Sequence, residues 1–293
     1  MRPGKIAATA LVSPLALVAS LGLPLVVLVV LVVFACGCEG EGAKTALGYT
    51  DSAKRAYDKA MDEYQMHSWI QAQNMFRDVK RKYSYSKYAR LAELRIADAD
   101  YEQEKFSEAI HEYKDFIHAH RSEEEDVAYA RSRIAEATYA EIPDSFLSPA
   151  EEERDQASVS DAFKEMKSYL ADYPASKDAA KIRGLLTLIV GRLVKHELYV
   201  ARFYLRKDND EAAVGRIEYA LHNYGGMLRA PGDRPEGADL VAEALVLLGQ
   251  TYLRMHKWSD ARQAFQAVVR GYERSPFAVQ AQNYLDMLRN QGV

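Results

Sequence analysis

Cys36 and Cys38 are the only thiols of the 293-residue chain, and they stand two positions apart near its front. So close a pair frames no disulfide scaffold, and two thiolates cannot make a four-thiolate zinc site. Other groups that could ligate or react are scattered. His118 and His120 are two apart, so a helix aims them in different directions and they cannot share a metal. His196 falls in an apolar helical pattern and reads as a core histidine with its polar atoms satisfied. Asp208, Asn209 and Asp210 resemble the opening of a calcium loop, but its glycine and closing glutamate are missing, which leaves a polar turn. No phosphate-cradling glycine loop, Gly-x-Ser-x-Gly or His-Glu-x-x-His occurs. The sequence therefore offers no catalytic residue, no metal site and no cofactor.

What precedes the cysteines gives them a use. No charged residue occurs from Ile6 to Ala35, and Arg2 and Lys5 stand just before that run. This is the order of an export signal, with a positive start and an apolar stretch. The run stops at Phe34-Ala35-Cys36-Gly37-Cys38, after which Glu39, Glu41 and Lys44 make the chain polar. A small residue directly before a cysteine at such a point resembles the bacterial lipobox, where the cysteine is diacylated, the signal is cut and the new amino group is acylated. Val33-Phe34-Ala35-Cys36 and Ala35-Cys36-Gly37-Cys38 both fit. Val33 supplies the usual aliphatic residue for Cys36, while Phe34 departs from the preferred type and keeps Cys38 open. An uncleaved membrane helix is the alternative, because the run exceeds the roughly 20 residues that span a bilayer. Pro14 and Pro24 weaken that alternative, and in either case the body lies outside the cytoplasm. Residues 1–35 are thus expected to be a lipoprotein signal and 36–50 a flexible tether.

The chain is 48% hydrophobic and 27% charged, ordinary for a folded protein. Beyond Arg2 and Lys5, 36 basic side chains face 42 acidic ones, net −6. A nucleic-acid binder needs clustered cations, and the bases here read as interspersed with acids.

The body is built from repeats. An alanine, an apolar residue four positions on and a ring seven positions further recur five times: Ala72-Phe76-Tyr83, Ala109-Tyr113-His120, Ala162-Met166-Tyr173, Ala213-Ile217-Tyr224 and Ala261-Phe265-Tyr272. Offsets of 4 and 11 are near whole helical turns, so each trio is expected on one buried helical face. Upstream, Tyr64-x4-Trp69-x2-Ala72 returns as Tyr101-x4-Phe106-x2-Ala109 and, loosened by one, as Tyr252-x5-Trp258-x2-Ala261. The aromatics fill the wedge between two helices, and the alanine lets their backbones approach. The arrangement matches the tetratricopeptide repeat. The expected fold is all-α: a solenoid of five helix-turn-helix units, with repeats 1 to 3 over residues 51–175 and repeats 4 and 5 with a capping helix over 176–293. Such an array offers a concave groove, and tyrosine with arginine is the composition that grips peptides.

Successive alanines are 37, 53, 51 and 48 residues apart, so the later units carry insertions or longer helices. Ile142 to Pro149 interrupts the third unit, and Ser148, Pro149 and Glu151 predict the cap and first turn of a new helix. The fourth unit lengthens its first helix from about Ser176 to Arg206, with a seam of Ile182, Leu185, Ile189, Leu193, His196, Val200 and Phe203. Ala230 to Gly237 reads as a loop. Ser122 with Glu125 predicts a capping box, and Ser275-Pro276 opens the last helix.

Three strings carry a family resemblance: Tyr173-Pro174-x-Ser176, Ala109-Ile110-x2-Tyr113-x2-Phe116-Ile117, and His196-Glu197-Leu198-Tyr199-Val200-Ala201-x-Phe203-Tyr204. With the export signal and five units, the chain resembles the BamD family, outer-membrane β-barrel assembly lipoproteins of Gram-negative bacteria. The resemblance covers about Tyr57 to Tyr224 well and the last unit loosely. It implies a non-enzymatic scaffold, lipid-anchored to the outer membrane and facing the periplasm, with other assembly lipoproteins as neighbours. It also implies binding of the POTRA domains of a BamA-like barrel subunit through the C-terminal half, and of unfolded outer-membrane proteins through the N-terminal half. Arg216 matches the partner-contacting arginine of the family, and Tyr83 a position implicated in substrate recognition. Tyr64 and Tyr101 join Tyr83 as candidates for substrate peptide. Ser84, where proline usually follows that tyrosine, the Ala230 to Gly237 insertion and the long signal depart from the pattern. A cell-envelope or division adaptor of the same repeat type, and a subunit of a peptidoglycan-acting or peptide-processing enzyme, are the other two readings.

Overall fold

The computed structural model describes residues 46–143, 150–228 and 235–292. The signal, both cysteines and most of the tether lie outside the described residues. Among the described residues there are twelve α-helices, one 3-10 turn and no strand. The first three hairpins pair α1 (Ala46–Gln65) with α2 (Trp69–Lys82), α3 (Lys87–Glu102) with α4 (Phe106–Ala119), and α5 (Glu124–Ala140) with α6 (Ala157–Asp172). The fourth pairs α7 (Ala179–Leu205) with α8 (Asp210–Asn223), followed by the single turn α9 (Gly225–Leu228). α10 (Pro235–Arg254) and α11 (Trp258–Gly271) make the fifth, and α12 (Pro276–Asn290) closes the array.

Among the described residues, those from Arg55 on form one compact unit, and Ala46 to Lys54 belong to another. In the smaller unit the Ser52 hydroxyl donates to the Gly48 carbonyl at 2.8 Å within α1. In the larger unit each helix packs on its neighbour in the chain, and first helices also pack on one another, α5 on α7 and α7 on α10. This is the tetratricopeptide-type array that the repeating column predicts.

The column accounts for the core. Ala72, Ala109, Ala162, Ala213 and Ala261 have no exposed surface, and neither have Phe76, Tyr113, Met166, Ile217 and Phe265. The third column member behaves differently from the expectation of one shared helical face. Tyr83, His120, Tyr173, Tyr224 and Tyr272 are each the C-cap of the second helix, with φ between −122 and −139. Each keeps its N–H bonded four residues back while its backbone leaves the helix, so the ring folds over the end of the hairpin.

Four hairpins share one turn. His67, Glu104, Asp208 and His256 have φ of 60, 60, 55 and 56, and each follows a first helix. In each case the next N–H reaches five residues back: Ser68 to Glu63, Lys105 to Asp100, Asn209 to Tyr204 and Lys257 to Tyr252. That is a Schellman closure built on non-glycine residues. The third hairpin lacks it because residues 141–156 intervene.

Several predicted boundaries move. The Ser122–Glu125 capping box does not form: α5 starts at Glu124 with Glu123 as a cap that makes no side-chain bond. Arg90 holds the carboxylates of Glu123 and Asp126, each at 2.7 Å, so the acids of this turn serve a contact between helices. Of the helix predicted from Ser148, residues 144–149 lie outside the description, and Glu151–Glu153 form only a 3-10 turn. The Gln156 amide bonds the carbonyls of Glu151 and Arg154 there, and α6 begins at Ala157. The long helix spans 27 residues, about 40 Å, and starts at Ala179 because the Ser176 hydroxyl is engaged by Tyr169 and by the Asp178 N–H. Its seam ends earlier than predicted, with Ala201 buried and Phe203 44% exposed. Pro235 to Gly237, predicted as loop, begins α10. Ser275 caps α12 as expected, accepting from the Phe277 N–H.

Candidate binding surface

The first helices carry a repeated string, Arg95-Ile96-Ala97-Asp98-Ala99-x-Tyr101 on α3 and Arg133-Ile134-Ala135-Glu136-Ala137-x-Tyr139 on α5. The apolar positions enter the core, and the spacing leaves Arg and acid one turn apart on the same side. Asp98 is 1% exposed. A buried carboxylate survives only when fully paired, and here the donors converge. Tyr113 and Arg95 Nη1 donate to it, Tyr129 Oη lies 2.8 and 2.9 Å from its two oxygens, and Arg133 Nε stands 3.6 Å away. Arg133 also donates to Tyr113 at 3.3 Å and to Glu136 at 2.7 Å. Lys181 of α7 reaches Glu136 at 2.7 Å. The ladder thus crosses three successive first helices, α3, α5 and α7.

Burial, then the charge of Asp98, holds the Tyr113 and Tyr129 phenols well above their ordinary value, so both remain hydrogen donors. For Arg95, burial acts to lower the pKa, and Asp98, Tyr129 and a bond to Tyr57 more than offset it. The guanidinium stays charged.

Two of the three candidate tyrosines border this ladder. Tyr101 lies under Arg133, whose guanidinium is 3.9 Å from its ring centroid, and sits edge-on to Phe106 at 5.3 Å. Tyr64 sits edge-on to Trp69 at 4.9 Å. Its phenol is pushed up to about 12 by burial and then by Asp98 and Glu102. Both rings are the wedges that the spacing predicts, and both residues are partly buried. Tyr83 is not brought to this cluster. It closes the far end of α2, a 14-residue helix or about 21 Å, and packs against the buried cluster that includes Phe76 and Val79.

Arg216 projects from α8 with its side chain 45% exposed, and its Nη1 is 3.2 Å from Glu197 Oε2 on α7. Beside this pair, burial, a bond with Tyr219 and the charge of Glu197 together raise the Tyr224 phenol. The other singled-out groups have structural partners. His118 lies 2.9 Å from Arg121, His120 3.1 Å from Glu93, and His196 Nδ1 2.7 Å from the Glu152 carbonyl. Asp208 and Asp210 hold Arg254 at 3.1 and 3.0 Å, and Asn209 caps α8. Among the described residues no three His, Cys, Asp or Glu side chains gather as a metal site.

Residues 50–232, more than half of the chain, match the family model described as YfiO, outer membrane lipoprotein. The chain belongs to this family. Curated relatives named outer membrane protein assembly factor BamD agree with that placement. The protein of Caulobacter vibrioides is 25% identical over 73% of this chain and 66% of its own length, slightly under two thirds. That of Neisseria gonorrhoeae is 23% identical over 86% and 92%. That of Xylella fastidiosa strain 9a5c is 25% identical over 78% and 76%. Among solved structures, the TPR2AB-domain:pHSP90-complex of yeast Sti1 aligns at 11% identity over 82% of this chain and 99% of that one, with a TM-score of 0.38.

No motif marks the Asp98 ladder, and Glu197 stands in the long-helix string without that string revealing its pairing with Arg216. An acid inside an alanine-rich helical run, repeated with the same neighbours 38 positions later, is the signal that marks the ladder. A second signal is local charge. From Arg77 to Arg90 there are six basic residues and one acid, which the interspersed reading of the whole chain averages away.

Proposed function

We propose that the protein is a non-catalytic scaffold of outer-membrane β-barrel assembly, anchored through an acylated Cys36, or alternatively Cys38, and facing the periplasm. Its C-terminal hairpins bind a POTRA-containing, BamA-like subunit, with Arg216 pairing to a carboxylate of that partner. Its N-terminal hairpins bind unfolded outer-membrane proteins along the first helices, with Tyr64 and Tyr101 beside the charged ladder and Tyr83 at the far edge. Other assembly lipoproteins complete the complex.

The observation that carries this reading is the family match over residues 50–232, joined by relatives named as assembly factors over most of the chain. The geometry supports it chemically. Partly buried tyrosines beside fixed guanidinium groups suit extended polypeptide, because rings and backbone amides can both be satisfied there. Arg216 spends one nitrogen on Glu197, and a guanidinium has donors left for a second carboxylate.

The test is affinity capture with the anchored chain from envelope extract. A barrel subunit with POTRA domains should come down, and Arg216→Lys, which keeps a cation beside Glu197 but loses the planar fork, should reduce its yield severalfold. Recovery of envelope or division proteins without any POTRA subunit would favour the adaptor reading and overturn this one.

A further inference from the structure

We propose that the turn joining α2 to α3 is a contact site for an anionic lipid surface. The chain is acidic overall, net −4. Yet Arg77, Lys80, Arg81, Lys82, Lys87 and Arg90 surround this turn with Asp78 as the one acid of the segment. Their partners leave a positive surplus. Asp78 is shared by Arg81 at 2.6 Å and Lys82 at 3.5 Å, and both cations remain more than half exposed. Lys80 lies 3.6 Å from Glu93, which His120 also engages. Arg77 meets the Asn74 amide oxygen at 3.5 Å, Lys87 lies over the Tyr88 ring, and Arg90 is spent on Glu123 and Asp126.

Cations in the last turn of α2 have an ordinary explanation, since they complement the negative end of its dipole. Lys87 does not: it is the first residue of α3, at the positive end, where a cation is unfavourable. Tyr85 stands at the tip with 96% of its surface exposed. An amphipathic ring among lysines and arginines is the composition that settles at a headgroup layer.

The next turn along, Glu123 to Asp126, is acidic. Arg90 offsets two of those acids, Glu123 and Asp126, and the exposed Glu124 and Glu125 repel an anionic surface there, so contact is confined to the first turn.

Hydrogen exchange of the full chain with vesicles of phosphatidylcholine, or of phosphatidylcholine mixed with phosphatidylglycerol, tests this. The Ser84 and Tyr85 amides should exchange severalfold more slowly on the mixed vesicles, with the His120 to Glu123 amides unchanged. High salt, the pair Arg81→Glu with Lys82→Glu, and Tyr85→Ser should each reduce the protection. Tyr85→Ser cannot act through the core, because that ring is exposed. Equal exchange on both vesicles overturns the proposal. So does protection that appears only when an unfolded barrel polypeptide is added, which would assign the turn to that polypeptide.

Discussion

Arg216 on α8 donates from Nη1 to Oε2 of Glu197 on α7 across 3.2 Å, and water reaches the two unequally: the acid side chain is 11% exposed and the arginine 45%. The pair therefore links a sheltered carboxylate to an outward donor. Arg216→Glu places two carboxylates together, one of them buried. Its melting temperature should fall by the equivalent of about 1–3 kcal/mol, and Glu197→Gln in the same chain should recover most of the loss. An unchanged melt for Arg216→Glu would show that Glu197 does not depend on this partner.

Alkaline pH should weaken the fold through its phenols. Tyr64 is pushed up to about 12, and Tyr113 and Tyr129 are raised by burial and then by Asp98. An unfolded chain releases these protons near pH 10. Stability from this source is complete below pH 10 and drains away as the pH rises through 12, because the unfolded state then binds fewer protons. Urea midpoints measured across that window should decline, and Tyr64→Phe should soften the decline. A flat profile would contradict the burial of these hydroxyls.

Gly249 on α10 is required by a close approach. A Cβ at that position would fall 2.6 Å from the ring of Phe265, which itself stacks on Tyr284 at 4.7 Å. Gly249→Ala should cost about 1–3 kcal/mol in chemical denaturation, despite alanine's better helix propensity. Gly184, with nothing within 4 Å of such a Cβ, is the control and should gain from the same change.

Glu104 holds a left-handed conformation with φ of 60 and is exposed. Glu104→Gly should raise stability by about 0.5–1 kcal/mol, since relief of the left-handed strain exceeds glycine's entropy cost in the unfolded chain. A lower thermal midpoint would mean that the carboxylate contributes to the turn.

Much of the architecture was legible because one column, alanine with an apolar residue four positions on, is tied to the closest helix contacts, where only small side chains fit. The same column misplaced its third member. A ring eleven positions on is near a whole number of turns whether the backbone is still helical or, as at Tyr83 and Tyr173, has just left the helix. The boundary expected from Ser122 and Glu125 moved beside an ion pair formed across helices, where Arg90 holds Glu123 and Asp126. In the binding surface, Tyr64 and Tyr101 could be found from their wedge spacing. Asp98 could not, because its donors come from α3, α4 and α5, and separation along the chain hides such convergence.

The left-handed joint at His67, Glu104, Asp208 and His256 carries a consequence for how chains of this kind diversify. Each joint is closed by its own backbone bonds, so the splay of the two arms is fixed locally and is indifferent to their reach. α7 has grown to 27 residues on the same joint that serves the 16-residue α3. Extra turns can accumulate at the free tips, altering what a hairpin touches while its elbow stays unchanged.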